Sequence, residues 1–258
     1  MNEQPKRILL GRRETGLPTN ELTVIFFGRN LRYVFDLNEP THRYIHDCIV
    51  HDTFYEKHSA LALYEHLNPG DTFIDVGAHC GVFSVLASAL VEDTGHVISI
   101  EPNASNCESY RRHEKPNMQL WQAAAGAEIG SADIFVNADN DGGHCFWDPA
   151  LHWHNTQSKY ERRKETVRIM PLDYFADSKP AAIKIDTEGY EPLVLRGAKK
   201  ILNSPELRLI ICEQNLLALG FLGMTVDDLT GPIEAAGFVE KSKFEGFEDT
   251  NNLIYTRP

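Results

Sequence analysis

The stretch at residues 72–86, TFIDVGAHCGVFSVL, constrains the fold of this chain more than any other. Its first five residues are apolar and β-rich and include Asp75, whereas apolar residues from Val82 onward recur at helical spacing. A strand that feeds a helix through Gly77 and Gly81 opens a parallel βαβ unit. We therefore predict an α/β fold with a parallel sheet.

The same stretch predicts a nucleotide cofactor. Gly77 can adopt dihedrals closed to other residues and lets a ligand approach the backbone, and the helix beyond Gly81 begins with unpaired N–H groups. The next apolar strand, residues 96–100, is followed by Glu101, where an acid in such folds accepts hydrogen bonds from ribose hydroxyls. The glycines alone would also fit an ordinary tight turn. Asp75 and Glu101 together favour the cofactor site.

The glycine spacing separates two candidate cofactors. Dinucleotide sites require G-x-G-x-x-G, in which the second glycine makes room for a pyrophosphate. In this chain the turn is GAHCG, so His79 stands where that second glycine is needed. The bulky side chain argues against a pyrophosphate and is compatible with S-adenosylmethionine, whose ammonium could be met by acceptors around Asp75 and Gly77.

Composition limits the class of protein. With 258 residues and 42% hydrophobic residues, the chain can bury one sizeable core and fits one α/β domain. It lacks an apolar run long enough to span a membrane, and its N-terminus has no signal-peptide character. The scattered cysteines resemble free thiols of a reducing compartment, so we expect a cytoplasmic location. A net charge of −12 argues against a nucleic-acid partner.

The N-terminal part is expected to form a small cap. Residues 1–20 have no periodicity and are predicted to be a loose tail. Two β-rich runs, 22–27 and 31–37, surround Gly28 and predict a hairpin, and a helix follows from Pro40. We accordingly divide the chain into an extension with a cap, residues 1–54, and a main domain, residues 55–258.

Later segments continue the βα alternation. Residues 118–124 are predicted to be the third parallel strand, with Gln122 and Ala123 at the position of adenine contacts. Residues 131–137 are expected to form an antiparallel strand. The irregular segment 138–164 is expected to be a loop or lid over the sheet edge, because such long loops in compact domains are usually functional or disordered.

A second strand–turn–helix unit lies at residues 181–198, and a fifth buried strand, 207–212, follows it. Ligands in open α/β sheets bind outside the carboxyl ends of the strands. The acids at those ends should therefore share one crevice: Asp75, Glu101, Asp186, Glu188 and Glu213. The chain closes with a predicted hairpin formed by residues 238–244 and 252–256.

Several short motifs carry a family resemblance. They are Tyr55-Glu56, DTFIDVGA at 71–78, EPN at 101–103, PLD at 171–173, IKIDTEGYE at 183–191 and Gly197-Ala198. In this order they resemble the FkbM-type methyltransferases. The resemblance implies a class I, Rossmann-like methyltransferase fold: a doubly wound, mostly parallel seven-stranded sheet with an antiparallel C-terminal strand. It also implies S-adenosylmethionine as cofactor and O-methylation of hydroxyls on sugars or natural-product scaffolds. The chain departs from the family at His79-Cys80, where the family often has Asn and a variable residue.

We assign site residues on this basis. The cofactor set comprises Glu56, Asp75, Gly77, Ala78, His79, Gly81, Glu101, Pro102, Asn103, Gln122, Ala123 and Asp186. An alcohol is a poor nucleophile, so a base should remove its proton during in-line methyl transfer. The candidates are Asp186, Glu188, Glu213 and the loop histidines His144, His152 and His154, with the Asp186/Glu188 pair as first choice. Alternatively, Glu188 is a helix-start carboxylate stabilised by the helix dipole.

We predict no bound metal, although the oxygens of Asp186, Glu188, Glu213 and Asn215 are hard ligands suited to a divalent cation. The pair His152 and His154 has no evident third ligand for zinc. Two other functions stay open. A nicotinamide-dependent oxidoreductase is disfavoured by His79, and a non-catalytic binding module is disfavoured by the acids at each strand end.

Overall fold

The computed structural model describes residues 10–12, 20–51, 54–137, 139–148, 151, 163–245 and 250–258. The strands are β1 (Leu10–Arg12), β2 (Glu21–Phe26), β3 (Arg29–Val34), β4 (Thr72–Val76), β5 (His96–Ile100), β6 (Met118–Trp121), β7 (Ala124–Ala125), β8 (Gly130–Phe135), β9 (Lys164–Met170), β10 (Ala182–Ile185), β11 (Leu209–Asn215), β12 (Val239–Glu245) and β13 (Thr250–Thr256). The helices are α1 (Pro40–Val50), α2 (Lys57–His66), α3 (Val82–Val91), α4 (Ala104–Arg111), α5 (Glu191–Arg196), α6 (Lys199–Leu202), α7 (Leu216–Phe221) and α8 (Val226–Ala235), with a 3-10 helix at Leu172–Ser178.

The central sheet has seven strands in the order β12-β13-β11-β10-β4-β5-β6. Strands β6, β5, β4, β10 and β11 pair in parallel, and β13 runs antiparallel between β11 and β12. The order reverses at β4, which is flanked by β5 and β10. This topology confirms the predicted doubly wound sheet with an antiparallel C-terminal strand. Ligands bind at such a switch point in open α/β sheets.

Two apolar layers cover the two faces of this sheet. Successive side chains of a strand alternate between faces, so Phe73 packs with α1 to α4 and the N-terminal cap, while Ile74 packs with α5 to α8. The expectation of one core is therefore wrong. A sheet buried on both faces needs an apolar cluster on each, which is why its strands read as nearly continuous apolar runs.

The N-terminal cap is a three-stranded antiparallel sheet, β1-β2-β3, followed by α1. It packs on α3: the Tyr33 hydroxyl donates to the Val82 carbonyl at 3.2 Å, and Arg29 Nε donates to the Ala89 carbonyl at 3.0 Å. The predicted hairpin is present. Within the predicted loose tail, however, β1 pairs with β2, because the outer edge of β2 offers unpaired backbone groups.

The predicted third strand is shorter than expected. β6 ends at Trp121, where the Ala123 amide turns back to the Trp121 carbonyl at 3.0 Å. After this tight turn, β7 joins a separate small sheet in which β9 pairs in parallel with β7 and antiparallel with β8. The antiparallel strand expected at 131–137 is thus β8, outside the central sheet.

Within the described part of the chain, no helix has the length and apolarity required to cross a membrane. The proposed lid at 138–164 is described at 139–148, at 151 and from 163, and His152 and His154 lie outside the described residues. Phe135 and Cys145 form an isolated antiparallel bridge, so the described part of this loop folds back along the end of β8.

Candidate functional site

A cavity of about 980 Å³ opens at the carboxyl ends of β4, β5, β10 and β11. This is the crevice that the sequence predicts for the strand-end acids. Of the residues assigned above to cofactor and catalysis, those that line it are Glu56, Asp75, Gly77, Ala78, His79, Glu101, Pro102, His144, Asp186, Glu188 and Glu213. One cavity therefore contains the proposed cofactor acids and the proposed catalytic acids.

The turn after β4 forms one wall and leaves no room for a side chain. Gly77 has φ +76°, and a Cβ built on it would lie 1.8 Å from the Asp186 carbonyl oxygen. The turns after β4 and β10 therefore touch through their backbones. The Gly77 and Ala78 amides both donate to the Ile100 carbonyl, at 2.9 and 3.2 Å, which fixes the turn against β5. The wall is consequently rigid and made of backbone.

Glu101 is buried and already ordered by backbone donors. One carboxylate oxygen accepts from the His79 amide at 2.9 Å and the other from the Asn103 amide at 2.9 Å. Burial raises the pKa of Glu101, while those hydrogen bonds act to lower it. Its spare lone pairs face a cavity of nucleotide size, so the residue fits the ribose-binding role that the sequence suggests.

Asp75 belongs to a buried polar network beneath the same wall. The Ser84 hydroxyl donates to Asp75 at 2.5 Å and also contacts the Ser99 hydroxyl at 2.8 Å, which in turn contacts the Tyr110 hydroxyl at 2.7 Å. Burial raises the pKa of Asp75 to about 6. The serines and Tyr110 were missed from the sequence, because nothing in their spacing shows that α3, β5 and α4 bring them together.

Lys184 is the buried cation of the cavity. Its Nζ lies 2.6 Å from an Asp186 carboxylate oxygen, 3.7 Å from a Glu56 oxygen and 4.7 Å from the centre of the Phe83 ring. Burial opposes the charged form, but the carboxylates of Asp186 and Glu56 raise the pKa of Lys184 above its ordinary value. Its position in an apolar strand, which the sequence left unexplained, is thus accounted for by these two acids.

Three carboxylates converge beside Lys184. Oxygens of Asp186, Glu188 and Glu213 all lie within 4.8 Å of one another. Glu188 has φ +55°, and the Asn215 side-chain amide donates to one of its oxygens at 3.3 Å. Burial, followed by the neighbouring negative charge of Asp186, raises the pKa of Glu188 to about 8, and burial also raises that of Glu213 well above its ordinary value. The raised pKa values show that the empty cluster favours protonated carboxyl groups at Glu188 and Glu213.

Glu191 stabilises the turn that carries this cluster. Its Oε1 accepts from the Thr187 amide, the Thr187 hydroxyl and the Gly189 amide, at 2.7, 2.9 and 3.2 Å. The residue is fully buried and does not line the cavity. Its role is to order the backbone that presents Glu188.

The described part of the loop, residues 139–148, closes over the turn after β4. The backbone amide of Thr41 donates to Asp141 Oδ1 at 2.8 Å, His79 Nε2 lies 2.7 Å from Asp141 Oδ2, and the Asn106 side chain donates to the Asp141 carbonyl at 3.0 Å. The Trp147 indole donates to the Glu188 carbonyl at 2.9 Å. The loop is therefore tied to the cap, to the cofactor wall and to the acid cluster.

His144 is held in one tautomer by this loop. The Asn137 amide donates to its Nδ1 at 3.0 Å, so the ring proton is on Nε2. Burial lowers the pKa of His144 to about 4. The ring lines the cavity, but Nδ1, the nitrogen with the lone pair, already accepts a hydrogen bond from the Asn137 amide.

A second cluster lies under the loop. Ligand-type atoms of His42, His79 and Cys80 are within 4.8 Å of one another. The Asp36 amide donates to His42 Nδ1 at 3.0 Å, which leaves the proton of a neutral His42 on Nε2 and no lone pair for a metal. Burial acts to raise the pKa of Cys80, but the charge of His79 lowers it to about 5. This arrangement favours the thiolate form of Cys80, stabilised by the imidazole groups of His79 and His42.

Some predicted contacts do not reach the cavity wall: Gly81, Asn103, Gln122 and Ala123. Gly81 precedes α3, and Asn103 caps α4 by accepting from the Asn106 amide at 3.1 Å. Gln122 is exposed because the chain turns after Trp121, and Ala124 and Ala125 line the cavity instead. Asp141 and Trp147 were missed, since only the fold of the loop brings them to the site.

Comparison with known proteins found one matching family and several similar solved structures. A family profile described as "Methyltransferase FkbM domain" matches residues 75–240. Among solved structures, the FkbM methyltransferase of Methylobacillus flagellatus KT is similar, with 15% identity, a TM-score of 0.50 and coverage of 84% of this chain and 53% of that one. This chain therefore spans about half the length of that protein. No curated protein matches the sequence.

Two further solved structures show weaker similarity to this chain. The fibrillarin pre-rRNA processing protein of Methanococcus jannaschii has 11% identity and a TM-score of 0.48 over 96% of this chain and 88% of its own. A SAM dependent methyltransferase from Aquifex aeolicus has 10% identity and a TM-score of 0.46 over 86% and 95%.

Proposed function

Since this chain belongs to the FkbM methyltransferase family, we propose that it transfers a methyl group from S-adenosylmethionine to a hydroxyl oxygen of a small-molecule or glycan acceptor. The observation that carries the proposal is the shared cavity, in which the family's glycine turn and ribose-type acid lie beside a cluster of buried carboxylates. The cavity volume, about 980 Å³, is at the upper end of small-molecule sites and suits a cofactor together with a modest acceptor.

The residues of the cofactor wall fit S-adenosylmethionine. Gly77 offers backbone where a side chain would clash, Glu101 offers carboxylate lone pairs to ribose hydroxyls, and Asp75 with Glu56 provides negative charge toward an ammonium group. His79 takes the space that a pyrophosphate needs. When bound, the cofactor supplies an electrophilic methyl group on a sulfonium centre.

The acid cluster is proposed to receive the acceptor hydroxyl. As the hydroxyl oxygen bonds to the methyl carbon, the electron pair of the carbon–sulfur bond stays on sulfur, and the hydroxyl proton must leave. We assign the activation of the hydroxyl to Asp186, Glu188 and Glu213, because their oxygens converge on one point of the cavity. Glu188 is better placed than His144, whose lone-pair nitrogen is occupied by the Asn137 amide.

The acceptor class follows from charge and from the loop. A net charge of −12 and an acidic cavity disfavour a phosphate backbone as acceptor. Tyr44 and Trp147, which line the cavity, supply aromatic faces of the kind that bind sugar rings and other flat scaffolds. We propose that the cap and the 139–148 loop determine which acceptor is accepted.

Calorimetric titration with S-adenosylhomocysteine, with NAD as control, tests the class. We expect one molecule of S-adenosylhomocysteine to bind per chain with a micromolar dissociation constant, and we expect no binding of NAD. Binding of NAD without S-adenosylhomocysteine would replace the proposal with an oxidoreductase. Once the cofactor is established, transfer of a labelled methyl group to a panel of sugars, polyphenols and RNA identifies the acceptor.

A further inference from the structure

We propose that Asp186, Glu188 and Glu213 bind one divalent cation of the Mg²⁺ or Mn²⁺ type on the acceptor side of the cavity. The inference deepens the proposed function and rests on it, because the cation would hold the acceptor oxygen and lower the pKa of its hydroxyl. It also replaces the sequence-based expectation of a site without metal.

The spacing of the three carboxylates suits a small hard cation. Octahedral Mg²⁺ binds oxygens at about 2.0–2.1 Å, so its adjacent ligands are about 3 Å apart and its opposite ligands about 4.2 Å apart. Oxygens of Asp186, Glu188 and Glu213 already lie within 4.8 Å of one another. Rotation about their side-chain torsions would bring these oxygens to the distances that Mg²⁺ requires. The remaining positions are open to water and to acceptor oxygens from the cavity.

An orphaned oxygen within the cluster points independently to a ligand. Glu213 is 8% exposed, and no group among the described residues forms a hydrogen bond with its buried Oε2. A buried carboxylate oxygen without a donor costs free energy, and native structures normally satisfy such atoms. Because Glu213 also lines the cavity, a bound cation would satisfy this oxygen without any change in the fold.

The charges of the neighbourhood leave this cluster unneutralised. Lys184 Nζ contacts Asp186 at 2.6 Å and Glu56 at 3.7 Å. Among the residues that the structure describes, no lysine, arginine or histidine forms an ion pair with Glu188 or Glu213. A divalent cation would stabilise the ionised forms of both carboxyls, whereas an acceptor ammonium would bring a single positive charge.

The neighbouring polar groups support the cluster without competing for the metal. Asn215, which the sequence offered as a ligand, uses its side-chain oxygen to cap α7 by accepting from the Ala218 amide at 3.0 Å. Its amide nitrogen donates to Glu188. Asn215 therefore orients a ligand, which is the usual function of groups that surround a metal site.

The test is Mn²⁺ binding to the full-length protein after treatment with a chelator. Loss of the electron paramagnetic resonance signal of free Mn²⁺ is measured with and without saturating S-adenosylhomocysteine, and Mg²⁺ is added as competitor. We expect one saturable site per chain, displaced by Mg²⁺. Absence of a saturable site at millimolar Mn²⁺ would overturn the inference and leave the cluster to an acceptor ammonium.

Two matched variants locate the site. Glu213→Gln removes a proposed ligand charge with little change in shape, and Glu56→Gln removes the same charge from the same cavity outside the cluster. We expect Mn²⁺ affinity to fall at least tenfold in Glu213→Gln and by less than twofold in Glu56→Gln. Equal weakening in both would show diffuse attraction to an acidic cavity and would overturn the site. Because Gln cannot ionise in this buried position, thermal unfolding of Glu213→Gln should occur at or above the wild-type temperature.

These experiments distinguish failure of the metal-site proposal from failure of the methyltransferase proposal. Binding of S-adenosylhomocysteine without Mn²⁺ binding leaves the methyltransferase proposal intact and removes the cation. Mn²⁺ binding at Glu213 without cofactor binding keeps the metal site and removes methyl transfer as its purpose.

Discussion

The two sides of the cavity differ in how completely their polar groups are satisfied. On the cofactor side, both oxygens of Glu101 accept backbone hydrogen bonds and Asp75 accepts from the Ser84 hydroxyl. On the acceptor side, within the described part of the chain, one oxygen of Glu213 has no hydrogen-bond partner, and the Glu188 carboxylate accepts a hydrogen bond from Asn215 at 3.3 Å. Both sides are built from strand ends of the same sheet, so the contrast does not come from the architecture.

The protein itself satisfies the polar groups on the cofactor side, whereas on the acceptor side we expect bound ligands to satisfy them. Fixed donors and backbone walls bind the cofactor with little reorganisation, which favours affinity. Converging buried carboxyl groups without basic partners disfavour ionisation of the empty acceptor side, and a positively charged ligand would stabilise their ionised forms on binding. Substitutions should therefore affect binding on one side and turnover or metal affinity on the other.

The largest effect is expected from Gly77→Val, which would break the organised side. The new Cβ would lie 1.8 Å from the Asp186 carbonyl in a backbone conformation with φ +76°. We expect S-adenosylhomocysteine affinity to fall at least about a hundredfold, or about 3 kcal/mol, measured by calorimetry. Gly130→Val is the matched control, because a Cβ there meets nothing within 4 Å. Wild-type affinity in Gly77→Val would remove the turn from the site.

Glu101→Ala tests whether the cofactor side depends on its satisfied acid. The substitution leaves the buried amides of His79 and Asn103 without acceptors, at a cost of about 1–3 kcal/mol each in stability. It also removes the proposed ribose acceptor, and we expect calorimetry to show cofactor affinity at least about tenfold lower. Glu101→Gln, which keeps one acceptor oxygen, should lie between wild type and Ala. Unchanged affinity in both variants would refute the ribose role.

Glu188→Gln sharpens the contrast from the acceptor side. We expect the rate of methyl transfer to fall by about a hundredfold, because a group that activates the hydroxyl contributes roughly 10² to 10⁴ in rate. Affinity for S-adenosylhomocysteine should stay within twofold of wild type. If Glu188 were only a helix-start carboxylate, the variant would lose thermal stability and retain its rate.

The smallest expected effect is the pH dependence carried by His113, which links the cap to the cofactor turn. Its Nε2 accepts from the Val34 amide at 2.7 Å, so Nδ1 carries the proton and donates to the Cys80 carbonyl at 2.8 Å. Burial lowers the pKa of His113. Its contribution is present above the ordinary pKa of about 6.5 and is lost as pH falls through the lowered value.

Urea unfolding at pH 7.5 and pH 5 measures this contribution. We expect wild type to lose about 1 kcal/mol more than His113→Gln over this interval. An equal loss in both proteins would assign the pH dependence to other groups.

The structural features that could be predicted from the sequence are those that depend on local sequence patterns. Apolar periodicity located β4, α3, β10 and β11, and parallel pairing then required their terminal acids to meet in one crevice. The close approach of the Gly77 backbone to the Asp186 carbonyl could not be predicted from the sequence, because it depends on how two distant turns pack. The sequence indicated that Gly77 permits close approach but not which group approaches it.

The remaining differences also come from tertiary contacts. Asp141 lies in an irregular segment whose composition gives no register, and its role depends on contacts about 60 to 100 residues away in sequence, with His79 and Thr41. The end of β6 was misplaced because residues 118–124 were interpreted as one strand, while the turn at Ala123 divides this segment between two sheets. Neither feature has a local sequence signal.

The hydrogen bonds of Asp141 affect which step of the catalytic cycle we expect to be slowest. Its contacts to Thr41, His79 and Asn106 attach one loop to three elements beside the cofactor wall. Cofactor exchange past this loop would require several of these bonds to open together. Release of the demethylated cofactor would then be slower than the chemical step, and the first turnover would appear as a rapid burst before a slower steady state.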